Sequence, residues 1–162
     1  MTVFTDNDAV IVSAARTPIG RARKGSLVSV RPEDLLTTAV EAALDRAGDI
    51  DLADFEDFIV GCAEAYGESG FNIARRVAIM LGRDDLPGVS VNRFCASSIQ
   101  AARMAFHAIR AGEGDAYLLG GIETVSRTQF IENVPHPSYA GAAEHVAEQL
   151  STDTWKDPRE LG

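Results

Sequence analysis

Short apolar runs alternate along this chain with stretches in which apolar residues return every three to four positions. The runs are Val10-Ile11-Val12, Phe58-Ile59-Val60, Val89 with Val91, and Tyr117-Leu118-Leu119. A nearly continuous apolar run of this length fits a strand covered on both faces. Strands are therefore predicted at Ala9 to Ala14, Phe58 to Cys62, Val89 to Val91 and Ala116 to Gly121.

Three helices are predicted between them. The first opens at Pro32-Glu33-Asp34, because proline suits the first helical position and early acids suit the helix dipole. Leu36, Val40, Ala43, Leu44 and Ala47 share one side of it, and Gly48 stops it. The second covers Asn72 to Leu81, with Ile73, Val77 and Met80 or Leu81 inward and Gly82 as its end. The third follows Cys95 and runs to about Arg110, with Ile99, Ala102, Phe106 and Ile109 on one face and Gly112 as its stop. Its alanines (Ala101, Ala102, Ala105, Ala108, Ala111) leave little bulk, which predicts a buried helix. The order β-α-β-α-β-α-β predicts a three-layer α/β unit with a largely parallel sheet.

After Ser126 the character changes. Asn133 to Tyr139 is turn-rich, Ala142 to Leu150 reads as a short helix, and Ser151 to Gly162 is polar around a single Trp155. A boundary is expected near Thr128.

Composition narrows the function. The chain has 162 residues, 46% of them hydrophobic, enough for one core. A formal charge of -9 argues against nucleic acid, which demands a basic face. No apolar run is long enough to span a bilayer, and Met1 to Asp8 lacks the pattern of a signal peptide. Two cysteines, Cys62 and Cys95, make neither a disulfide framework nor a four-ligand metal site. The expectation is a cytoplasmic protein with no metal and no membrane partner. Tyr66-Gly67-Glu68-Ser69-Gly70 lacks a phosphate-binding fingerprint, and the basic cluster Arg21-Ala22-Arg23-Lys24-Gly25 reads as a solvated loop.

The chemistry centres on Cys95. It stands where the strand at Val89 and Val91 turns into the third helix. A sulfur at a helix start meets unpaired N–H groups and the positive end of the dipole, both of which favour a thiolate. Two readings follow: a nucleophile held against a carbonyl, or a small core residue. Cys62, inside a predicted strand, reads as packing.

Asn92-Arg93-Phe94-Cys95-Ala96-Ser97-Ser98-Ile99-Gln100-Ala101 resembles the nucleophile segment of thiolases, the acyl-CoA C-acyltransferases. Two more segments agree in order and spacing. Val10 to Gly20, containing Arg16-Thr17-Pro18, resembles the family's opening strand, and Gly120-Gly121-Ile122-Glu123-Thr124-Val125-Ser126 resembles its Gly-Gly-x-Glu-x-Met-Ser segment. Tyr139 to Ala147 weakly resembles a helix of the domain that covers CoA. The resemblance implies a thiolase-like three-layer α/β half with a mixed, mostly parallel sheet. Residues 1–127 would be the N-terminal catalytic half and 128–162 the start of the CoA-covering loop domain. It also implies that Cys95 is the acyl-accepting nucleophile, its own backbone N–H an oxyanion donor, and acyl-CoA a substrate rather than a cofactor. The reaction implied is thiolytic cleavage of a 3-ketoacyl-CoA, or the reverse Claisen condensation. Which residues bind CoA stays open. Ser97 and Ser98 are expected to satisfy local backbone groups, Asn92, Arg93 and Gln100 to hold the loop, and Glu123 to be a buried structural acid. Ser98 departs from the family, which usually has glycine there; a serine narrows the pocket or adds a hydrogen bond.

The family's activating histidine, second cysteine and Asn-Glu-Ala segment have no counterpart here. His107 lies twelve residues beyond Cys95 on one helix, about 18 Å away, against roughly 3 Å for proton transfer. His136 and His145 read as surface residues. The expected partner is therefore a C-terminal thiolase portion, supplying the base and the fifth strand, in a complete enzyme that forms a homodimer or tetramer. Without it a sheet edge and an apolar helix face would lie open. Two alternatives remain at this point: a non-catalytic thiolase-like scaffold, and a ketosynthase-like condensing enzyme using acyl-carrier protein.

Overall fold

A computed structural model of the chain describes Thr5 and residues 8–128. The predicted helix at Ala142 to Leu150, His136, His145 and nearly all of the expected loop domain lie outside the described residues.

The element order is α1 (Pro32–Ala47), β1 (Asp57–Gly61), α2 (Ile73–Met80), β2 (Gly88–Val91), α3 (Ser97–Ala111), β3 (Tyr117–Gly121) and the short α4 (Val125–Thr128). The three strands form one sheet in the order β2-β1-β3. Both ladders are parallel, with Ile59 opposite Val89 on one side and Leu119 on the other. Helices cover both faces, giving the expected three-layer α/β architecture.

Sequence punctuation sets the helix ends. Pro32 occupies the first turn of α1, with Glu33 and Asp34 beside it. Asn72 caps α2, its Oδ1 accepting from Arg75 N, while its Nδ2 donates to Gly88 O at 2.7 Å. Gly112, in the left-handed conformation at φ 75°, ends α3.

The larger core lies between the sheet and the α1–α2 layer. Leu36, Val40, Phe58, Val60, Ile73, Val77, Leu86 and Leu118 form it. Burying Phe58 completely contributes about 2–3 kcal/mol. The opposite face is thinner: Ile59, Ala101 and Ala105 are buried, with Val89, Val91, Met104 and Tyr117 around them.

Two expectations fail. Residues 9–14 form no strand. They run along α1, where Ser13 Oγ donates to Ala43 O at 2.6 Å and Arg46 Nη1 donates to Ala14 O at 2.9 Å. Val10, Ile11 and Val12 are 57%, 88% and 66% exposed. A strand exists only where its backbone groups meet a neighbour's. A cleft floored by α1 and lined by Ala15, Arg16 and Thr17 on one side and Leu119 and Gly120 on the other flanks the edge of β3. Second, α3 is not buried on most sides as its alanines suggested, and its buried face is not the one predicted. Ser97, Ala101 and Ala105 meet the sheet, whereas Ile99, Ala102 and Phe106 are exposed.

Candidate active site

All three strands point the same way, so Gly61, Val91 and Gly121 end at one rim of the sheet. Loops leaving β1 and β2 diverge there, because α2 and α3 lie on opposite faces. A crevice opens at such a divergence in parallel sheets. It forms a cavity of about 430 Å³ lined by Gly61, Ala63, Phe94, Cys95, Ser98, Gly121 and Glu123, among others.

Two glycines let α3 come this close. A Cβ on Gly61 would stand 2.3 Å from Ser98 N and 2.4 Å from the Ser97 carbonyl carbon. One on Gly121 would stand 2.1 Å from Ser98 Oγ. The first turn of α3 thus rests directly on the ends of β1 and β3. Gly121 belongs to the Gly-Gly segment already singled out, whereas Gly61 stands out from neither motif nor periodicity. Their signal is a glycine at the end of an otherwise apolar strand, a mark of close backbone approach.

The turn from β2 into α3 carries Cys95. Phe94 adopts a left-handed conformation, φ 48°, which is uncommon for a bulky residue. Hydrogen bonds from several directions hold it. Phe94 N donates to Asn92 Oδ1 at 2.9 Å, and Asn92 Nδ2 donates to Ala63 O at 2.7 Å. Ser97 Oγ accepts from Arg93 N at 2.9 Å and donates to Phe94 O at 2.6 Å. Arg93 Nη1 donates to Gln100 Oε1 at 2.5 Å. Asn92, Arg93, Gln100 and Ser97 therefore do hold the loop, as their positions suggested. Ser98 lines the cavity and fills the space over Gly121.

Cys95 is exposed on this turn, two residues before the helix, and is not a core residue. Cys62 contrasts with it. Its residue is fully buried, and burial, with the Glu123 carboxylate alongside, pushes its thiol up to about 12. Cys62 is thus a packing residue, as expected. Glu123 is not buried in this chain. It is nonetheless tied in: Oε1 accepts from Ala63 N and Oε2 from Glu64 N at 3.3 Å.

His107 lies on α3 away from the cavity, exposed, its Nε2 accepting from Arg103 Nε at 3.3 Å. Among the described residues no group of His, Cys, Asp and Glu is placed to hold a metal ion. No helix among them is long and apolar enough to cross a membrane. The loop around Arg21 to Gly25 is largely exposed, with Arg23 N donating to Ser126 Oγ at 2.8 Å.

Comparison with known proteins decides the family. A family model described as thiolase, N-terminal domain, matches residues 9–157. The chain belongs to the thiolase family. The 3-ketoacyl-CoA thiolase of Bacillus subtilis (strain 168) is 38% identical over 154 residues, which cover 89% of this chain and 39% of that protein. The β-ketoadipyl-CoA thiolase of Pseudomonas knackmussii is 39% identical over 125 residues, 76% of this chain and 31% of its own length. The crystal structure of the Bacillus anthracis acetyl-CoA acetyltransferase superposes with a TM-score of 0.68 at 30% identity, covering 74% of this chain and 30% of that one. The α/β architecture is thus that of the N-terminal part of a thiolase, and the chain spans under half the length of these relatives.

Proposed function

We propose that this chain is the acyl-accepting portion of an acyl-CoA C-acyltransferase, with Cys95 as nucleophile. The observation that carries the reading is the position of Cys95: exposed, on a turn fixed by Asn92 and Ser97, lining the cavity at the carboxyl rim of the sheet. The family-matched segment of the chain contains that turn.

In the cleavage direction the Cys95 thiolate attacks the C3 carbonyl carbon of a 3-ketoacyl-CoA. The C2–C3 bond breaks, and the electron pair and a proton go to C2, releasing acetyl-CoA. The thiol of free CoA gives up a proton, and its sulfur takes the acyl group from Cys95, restoring the thiolate. Condensation is the same sequence reversed. Each tetrahedral intermediate places negative charge on oxygen, for which the backbone N–H of Cys95 is the proposed donor.

A base must activate the thiol. Among the described residues the cavity lining contains no histidine. We assign that role to a C-terminal thiolase portion, on the same polypeptide or a companion, which also supplies the second cysteine and covers the edge of β3. Residues 128–162 would begin the domain over CoA. The complete protein is proposed to be a homo-oligomer. A cytosolic location is supported by two cysteines that are both free.

The test is acetylation by acetyl-CoA in the complete protein, followed by peptide mass analysis. One acetyl group on the Cys95 peptide is expected. Cys95→Ser should keep the fold and lower acyl transfer at least ~10³-fold. Near-parental turnover in that variant would sink the assignment. An inert Cys95 would favour a scaffold, and labelling by acyl-carrier protein alone would favour a ketosynthase-like enzyme.

A further inference from the structure

Glu123 sits at the end of β3, across the rim from the turn that carries Cys95, yet a continuous chain of hydrogen bonds joins them. Its Oε1 accepts from Ala63 N and its Oε2 from Glu64 N at 3.3 Å, which fixes the backbone leaving β1. The other side of the Ala63 residue, its carbonyl oxygen, accepts from Asn92 Nδ2 at 2.7 Å. Asn92 then presents Oδ1 to Phe94 N at 2.9 Å. The chain passes from β3 to β1 to β2 and ends on the left-handed residue immediately before Cys95.

We propose that Glu123 is a positioning residue for the Cys95 nucleophile, acting through Ala63 and Asn92. The inference rests on Cys95 being the acylated group. A left-handed phenylalanine persists only where its surroundings over-determine it. Ser97 holds the Phe94 carbonyl and Asn92 holds its N–H. Asn92 supplies its share of the constraint only while its amide is oriented, and the Ala63 carbonyl orients it. A carboxylate suits this position because it accepts two divergent N–H bonds at once, and its charge makes each stronger than a neutral one. The strand ladders stop at Gly61, Val91 and Gly121, followed by one backbone bond on each side, Cys62 N to Val91 O at 3.0 Å and Ile122 N to Gly61 O at 3.1 Å. Past these the Glu123 and Asn92 contacts join the diverging loops.

The experiment uses the complete protein with Glu123→Ala, Glu123→Gln, Asn92→Ala and the Glu123→Ala/Asn92→Ala pair. Single-turnover acylation of Cys95 by acetyl-CoA is measured with KM and kcat separated, and the fold is checked by circular dichroism and Tm. Glu123→Ala should slow acylation by ~10- to 100-fold with KM within about twofold, the size expected for a misplaced reacting group. Glu123→Gln keeps an acceptor for Ala63 N and should recover most of the rate. The double variant should be no slower than the slower single one, since both break the same chain. A rate within threefold of the parent for Glu123→Ala, or losses that multiply in the double variant, would overturn the proposal. If the alanine variant does not fold, Glu123→Asp, which withdraws the carboxylate by one methylene, carries the same test. If acetyl-CoA fails to label even the parent, it is the acyltransferase reading that fails. The iodoacetamide rate at Cys95 then decides the positioning claim: a change of about tenfold in Glu123→Ala supports it, and an unchanged rate overturns it.

Discussion

Replacing Gly61 by alanine tests the contact on which the site is built. Gly61 ends β1 in an extended conformation open to any residue, so the change carries no penalty of backbone torsion. The whole effect is steric. The new methyl would stand 2.3 Å from Ser98 N, 2.4 Å from the Ser97 carbonyl carbon and 2.7 Å from Ser97 O, all of them backbone atoms. No side-chain rotamer can relieve this. Restoring ordinary contact requires the first turn of α3 to retreat by about 1 Å, and Cys95 moves with it. Overpacking of that kind costs about 1–3 kcal/mol. A displacement near 1 Å of a reacting group costs about 10²-fold in rate. The assays are urea unfolding of the complete protein, read as a midpoint shift at constant m, and acyl transfer. Gly48→Ala is the control. Gly48 has φ 83° with nothing within 4 Å of its Cβ position, so only torsional strain applies. It should lose about 1 kcal/mol and no activity. A Gly61→Ala protein with parental stability and parental acyl transfer would refute the close-contact argument.

Cys62 makes alkaline stability a second test. Its thiol is raised to about 12 in the fold, against an ordinary 9.0, so above pH 9 the unfolded chain loses its proton first. Stability from this group is intact below pH 9 and falls between pH 9 and about 12, by at most ~1.4 kcal/mol per unit. Comparing parent and Cys62→Ala by urea unfolding at pH 8 and pH 10 isolates it. An identical pH dependence in both proteins would reject the buried-thiol account. Arg75 gives a third. Its guanidinium donates to Leu86 O at 2.8 Å, Asp84 O at 2.5 Å and Arg83 O at 3.3 Å, closing the turn between α2 and β2. Arg75→Ala should cost about 2 kcal/mol by urea unfolding, and a loss below about 0.5 kcal/mol would show that water replaces these bonds freely.

Local order was legible wherever punctuation and periodicity agreed. Pro32, Gly48, Gly82 and Gly112 mark real helix limits, and the runs at Phe58, Val89 and Tyr117 are real strands. The junction holding Cys95 could be read because a β-branched strand gives way abruptly to an alanine-rich helix. The segment at residues 9–14 was not, since apolarity signals a preference for burial while pairing depends on a remote neighbour. The buried face of α3 misled for another reason. Both its stripes are apolar, and periodicity favours the bulkier one, Ile99 with Phe106. The sheet accepts the smaller, Ala101 with Ala105, because Gly61 and Gly121 draw the helix in. The link from Glu123 to Asn92 joins residues far apart in sequence and leaves no local trace.

The central strand precedes both its neighbours in sequence, which bears on the order of assembly. Phe58 pairs with Gly88 on one side and Leu118 on the other, separations of 30 and 60 residues. Doubling a loop adds about 0.6 kcal/mol of closure entropy. The β1–α2–β2 unit is therefore the cheaper one to close, and β3 docks onto it at greater entropic cost. Gly121 and Glu123 arrive with β3, so a half-folded chain has the cysteine but not the pocket around it. Reactivity at Cys95 then reports that β3 has joined, a property that a pulse-labelling experiment during refolding can follow in time.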